Sequence, residues 1–120
     1  MKTIFVVDDS ATNLVAAKNV LADKYKTYTL PSAAKMFLFL EKITPDLILL
    51  DVDMPEMDGF EALSILKSND KFKKIPVIFL TGMNDSESEK RGIQIGAVDF
   101  IVKPFSAPEL INRIENHTKM

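Results

Sequence analysis

Four short apolar runs in this chain each end in a group able to handle metal or phosphorus. Ile4-Phe5-Val6-Val7 runs into Asp8-Asp9, and Leu47-Ile48-Leu49-Leu50 into Asp51. Val77-Ile78-Phe79-Leu80 runs into Thr81, and Phe100-Ile101-Val102 into Lys103. An unpaired carboxylate is costly to bury. An Asp that closes an apolar run is therefore expected at a strand end facing solvent, where it can be used. Three carboxylates, a hydroxyl and an ammonium in equivalent places suggest one site, built for a divalent cation and a phosphoryl group.

The chemistry is constrained by the residue types. Clustered carboxylates repel and raise one another's pKa unless a cation sits among them. Mg²⁺ suits such a set, because it takes hard oxygen ligands, needs few carboxylates and retains waters. The chain has no Cys and a single His, His117, so Zn²⁺ or Cu²⁺ chemistry is disfavoured. With the cation in place, one carboxylate can attack phosphorus and become an aspartyl phosphate. Charge on the phosphoryl oxygens then needs positive partners, which the cation and Lys103 can supply. Thr81 can donate to a phosphoryl oxygen, and Gly82 beside it leaves room for the incoming group.

The elements that must position these groups follow from the hydrophobic period, which switches repeatedly between short runs and helical spacing. Strands are expected over 3–8, 25–30, 46–51, 77–81 and 98–102, with 25–30 a half-exposed edge strand. Helices are expected over 11–23, 32–43, roughly 60–68, a weak one near 86–95, and 107–118. Ser106-Ala107-Pro108-Glu109 reads as a capping box with an early Pro. Strands alternating with helices imply an α/β fold, a doubly wound parallel sheet covered on both faces. In such sheets ligands bind beyond the carboxyl ends of the strands. Asp8, Asp9, Asp51, Thr81 and Lys103 all fall there.

Composition excludes several classes. An apolar fraction of 47% argues against disorder. Fifteen Lys+Arg against 17 Asp+Glu give −2, which suggests no nucleic-acid surface. No stretch approaches the apolar length of a membrane span, and Met1-Lys2-Thr3 leads into no signal-peptide h-region. The expectation is a single cytoplasmic domain over 1–120, with no membrane and no direct nucleic-acid contact.

The segments IFVVDDS, PDLILLDVDMPEMDGFE, PVIFLTG and GAVDFIVKPF, in that order, resemble the receiver domain of two-component response regulators over essentially the whole chain. The resemblance implies a flavodoxin-like five-stranded sheet of order 2-1-3-4-5. It implies that Asp51 is the phosphoacceptor and that Asp8 and Asp9 are the acidic pair. Mg²⁺ would then be held by Asp9 and Asp51, with Asp8 acting mainly through water and the Asp53 backbone carbonyl as a further ligand. Thr81 and Lys103 match the switch hydroxyl and the phosphate-binding lysine, and Phe100 matches the aromatic switch position. The Lys103-Pro104 bond is expected cis. Partners would be a histidine kinase or histidine phosphotransfer domain, with an effector or output domain the sequence does not identify.

Some positions depart from the commonest pattern. Asp53 adds a fourth acid, and at this position and at Met83 the family tunes dephosphorylation. Gly92 stands in the weak helix where Ala is frequent, at a cost of about 1 kcal/mol in propensity. On helix 11–23, Asn13, Ala16, Ala17, Val20 and Leu21 share a face, so Leu14 and Val15 point outward as a possible kinase-docking patch. Leu38 lies opposite the apolar face of helix 32–43, with Phe39 on its flank. His117 reads as a terminal-turn residue that favours the helix dipole when charged.

Three functions compete. The leading one is a switch that turns over no external substrate. The second is a phosphatase resembling the haloacid-dehalogenase type, since Asp51-Val52-Asp53 follows an apolar strand. That reading leaves Asp8-Asp9 unexplained and puts Pro55 where Thr or Val is usual. The third is a phosphorylation-independent interaction module, which usually lacks the acidic pair or the lysine present here.

Overall fold

The structure is a computed structural model that describes residues 1–82 and 86–118. Its strands are β1 (Thr3–Val7), β2 (Lys26–Leu30), β3 (Leu47–Asp51), β4 (Val77–Thr81) and β5 (Asp99–Val102). They alternate with α1 (Ala11–Leu21), α2 (Ala33–Leu40), α3 (Gly59–Lys67), α4 (Ser86–Ile95) and α5 (Ala107–Thr118). All pairings are parallel, in the order β2-β1-β3-β4-β5. The expected architecture and order are thus observed.

Period two sorts the sheet into its two faces. Phe5, Val7, Ile48, Leu50, Val77, Phe79 and Phe100 pack with Met36 and Leu40 of α2 and Phe60, Leu63 and Leu66 of α3. Ile4, Val6, Leu47, Leu49, Ile78, Leu80 and Ile101 pack with Ala17 and Leu21 of α1 and Leu110 and Ile114 of α5. The central strands β3 and β4 are buried along their whole length, as their unbroken apolar runs require. At the edge, β2 stays half exposed.

Caps set where the helices begin. The Ser10, Ser32 and Ser106 hydroxyls accept N–H bonds from Asn13, Lys35 and Glu109 at 3.3, 3.2 and 3.2 Å. Asp58 and Glu61 form a full capping box that starts α3 at Gly59. Two expectations need correction. Helix α2 stops at Leu40 rather than 43, because the chain tightens there. Glu41 N–H donates to Leu38 O, and Pro45 disfavours helical geometry at Thr44. Helix α1 is rotated relative to the expected face. Leu14 packs against the core with Ala17 and Leu21, Ala16 is exposed, and only Val15 of the Leu14-Val15 pair faces outward. Leu38 is exposed as expected, whereas Phe39 joins an edge-to-face trio with Phe5 and Tyr28.

Candidate functional site

The alternation that fills the α1/α5 face continues past the last apolar residue of β1, β3 and β5. It carries Asp8, Asp51 and Lys103 to that same face at the carboxyl end of the sheet. Asp8 and Asp51 are 1% and 2% exposed, so the strand-end carboxylates do not face solvent as expected. The cause is a counter-ion supplied by the chain itself. Lys103 Nζ donates to Asp8 Oδ2 at 3.0 Å and to Asp51 Oδ1 at 3.2 Å. A buried acid is tolerable when paired in this way. Asp8 also accepts the Ser10 N–H at 2.9 Å, fixing its carboxylate at the start of α1.

Asp9 and Asp53 are exposed and rim the site. Asp53 N–H donates to Asp51 Oδ1 at 3.4 Å. Oxygen atoms of Asp8, Asp9 and Asp51 lie within 4.8 Å of one another. An all-oxygen donor set with one exposed member fits a hard divalent cation. Burial, and next the Asp8 charge, push the Asp51 carboxyl up to about 7, against the opposing pull of Lys103. Burial opposes the charge on Lys103, but its hydrogen bond to Asp8 and the charges of Asp51 and Asp8 prevail and hold the ammonium above its ordinary pKa.

Thr81 is fully buried at the end of β4, and its carbonyl accepts the Lys103 N–H at 2.7 Å. Gly82 is exposed, and among the described residues a Cβ there would meet nothing within 4 Å. Met83 lies outside the described residues. Pro104 is exposed after a cis Lys103-Pro104 bond. Phe100 is buried, its ring 5.7 Å from Phe79.

Two groupings escaped the sequence reading. Asp99 accepts from Arg113 and bonds His117 Nε2 at 3.1 Å, so His117 is tied to β5 as well as lying at a helix end. Arg91 of α4 lies over the ring of Phe60, 4.2 Å from its centroid. Neither follows from local periodicity, because the partners sit on different elements.

A parallel 2-1-3-4-5 sheet with a lysine-bridged acidic cluster at its carboxyl edge defines a class, and the comparisons agree with it. The family model described as the response regulator receiver domain matches residues 4–115, and the chain belongs to that family. It is 41% identical over 115 residues to a probable cyclic di-GMP phosphodiesterase of Vibrio cholerae, covering 96% of this chain and 26% of that protein. It is 31% identical over 117 residues to the polar-differentiation response regulator DivK of Brucella anthropi, covering 97% of this chain and 95% of that one. The chemotaxis protein CheY4 of Vibrio cholerae has the same fold, with a TM-score of 0.91 at 28% identity over 97% of this chain and 98% of that one. The chain therefore spans about a quarter of the first relative and nearly all of the second. The phosphatase reading falls: Asp8 and Asp9, which it left without a role, gather with Asp51, and the family matched is the receiver. Among the described residues no helix is long and apolar enough to cross a membrane.

Proposed function

We propose that this domain accepts a phosphoryl group onto Asp51 from the phosphohistidine of a histidine kinase or phosphotransfer domain, in the cytoplasm, and that the modification changes its binding surface. The observation that carries this is the placement of Asp51, buried, beside Asp8 and Asp9 and held by Lys103. An Asp51 carboxylate oxygen attacks phosphorus. The P–N bond breaks with its electron pair leaving on the imidazole, and an acyl phosphate forms on Asp51. Asp8, Asp9, Asp51 and the Asp53 carbonyl would hold Mg²⁺, which when bound neutralises charge on the phosphoryl oxygens. Lys103 is released from its bridge to contact a phosphoryl oxygen, and Thr81 donates its hydroxyl to another. Gly82, next to Thr81, adds no side chain where the group would enter. Lys103 is thus both the counter-ion that makes the apo site tolerable and the cation that receives the product.

The domain turns over no external substrate in this reading. Val15 on α1 remains a candidate for kinase contact, while Leu14 contributes packing. Incubation with Mg²⁺ and acetyl phosphate should give stoichiometric labelling of the wild-type chain and none of Asp51→Asn. Continuous hydrolysis of a generic phosphomonoester, or labelling that persists in Asp51→Asn, would overturn the proposal.

A further inference from the structure

Helix α4 has little to hold it. Gly92 is its one buried residue, and the first two turns are Ser, Glu, Lys and Arg. It rests on a ladder of rings: Phe60 to Phe79 at 5.4 Å and Phe79 to Phe100 at 5.7 Å, both edge-on. Gly92 lies against the Phe79–Phe100 end, where a Cβ would come within 2.8 Å of the Phe79 ring. Arg91 covers the other end, its guanidinium carbon 4.2 Å from the Phe60 centroid.

Phe60 is not free to move independently of Asp51. Gly59 precedes it, and the Gly59 N–H donates to Val52 O at 2.8 Å. A Cβ on Gly59 would lie 2.4 Å from the Asp51 carbonyl oxygen, so the start of α3 is pressed onto the backbone of the phosphoacceptor segment. Arg91 is therefore linked to Asp51 through one side-chain contact and one backbone contact.

We infer that Arg91 is a positioning residue: its cation–π contact with Phe60 clamps α4 to the Asp51-bearing segment while Asp51 is unmodified. This couples α4 docking to occupancy of the phosphoryl site by a route that bypasses Thr81. The inference rests on Asp51 being the phosphoacceptor. A contact that favours the unmodified state must weaken binding of a phosphoryl mimic, and its removal must strengthen it by the same factor.

The test is a beryllofluoride titration with Mg²⁺ on the 120-residue chain, with amide exchange of α4 read in parallel. Arg91→Ala and Arg91→Met should bind beryllofluoride roughly twofold to fivefold more tightly, with faster α4 exchange. Arg91→Lys, which keeps a cation over the ring, should stay near wild type, as should Gln94→Ala on the exposed side of the helix. Wild-type affinity in Arg91→Ala, whatever its α4 exchange, would reduce Arg91 to a cover for Phe60 and overturn the coupling. Wild-type affinity in Arg91→Met alone would show that apolar packing suffices and overturn the cationic clamp. A wild-type chain that binds no beryllofluoride would overturn the Asp51 reading, and the coupling with it.

Discussion

Asp51 is a carboxylate whose charge the fold opposes and the proposed phosphoryl transfer requires. Its carboxyl is raised to about 7 from 3.8, first by burial and then by Asp8. Between those values the folded chain holds a proton that the unfolded chain has released. Stability must then fall as pH rises through that window and level off above it. Asp51→Asn removes the titrating group and keeps its shape. In metal-free buffer the variant should match wild type near pH 4 and exceed it at pH 8, by on the order of a few kcal/mol. Urea unfolding at both pH values measures this. Equal stabilities at pH 8 would mean that Lys103 fully neutralises Asp51. In the proposed site the same proton would compete with Mg²⁺ for the carboxylate, so Mg²⁺ affinity should weaken as pH drops below about 7.

At the scale of elements, β3 and β4 were legible because a fully buried parallel strand reads as an unbroken apolar run. The α1 face was harder. Ala11–Leu21 carries Ala, Val and Leu on several sides, so small residues blurred the stripe, and Leu14 rather than Ala16 proved to pack inward. Helix α4 was expected to be weak on composition, but the reason for Gly92 needed the fold: α4 lies so close to the aromatic ladder that a Cβ would sit 2.8 Å from Phe79 and 3.1 Å from Phe100. Gly92→Ala therefore sets a helix-propensity gain of about 1 kcal/mol against an overpacking cost of about 1–3 kcal/mol. A net loss of about 1 kcal/mol is expected, with displaced ring signals of Phe79 and Phe100. Urea unfolding and aromatic NMR spectra test it. A net gain without ring shifts would show that α4 lifts off at no cost.

Across the whole molecule, the sheet brings acids together at its carboxyl end: Asp8 and Asp51 share Lys103, while Asp9 and Asp53 stay exposed at the rim. The members were legible individually, since each closes or follows an apolar run. Their pairing was not, because Lys103 reaches Asp8 and Asp51 across 95 and 52 residues of sequence. Local period shows where a side chain stands on a strand, and only strand order shows what stands beside it. The charge imbalance has a global consequence. A cation that binds the folded chain alone adds RT ln(1 + [Mg²⁺]/Kd), about 2.7 kcal/mol at a hundredfold excess over Kd, or several degrees of Tm. Asp9 supplies the exposed oxygen of the set, and the Lys103 ammonium is directed to Asp8 and Asp51. Asp9→Ala should lose most of the Mg²⁺-dependent rise in Tm. In metal-free buffer it should be as stable as wild type or more so, because a like charge beside Asp8 and Asp51 is gone. Thermal unfolding of both chains across a Mg²⁺ series, with EDTA as the zero point, separates the two effects. Parallel curves for wild type and Asp9→Ala would place the cation elsewhere, and the acidic cluster would then be only a strained resting state for Lys103.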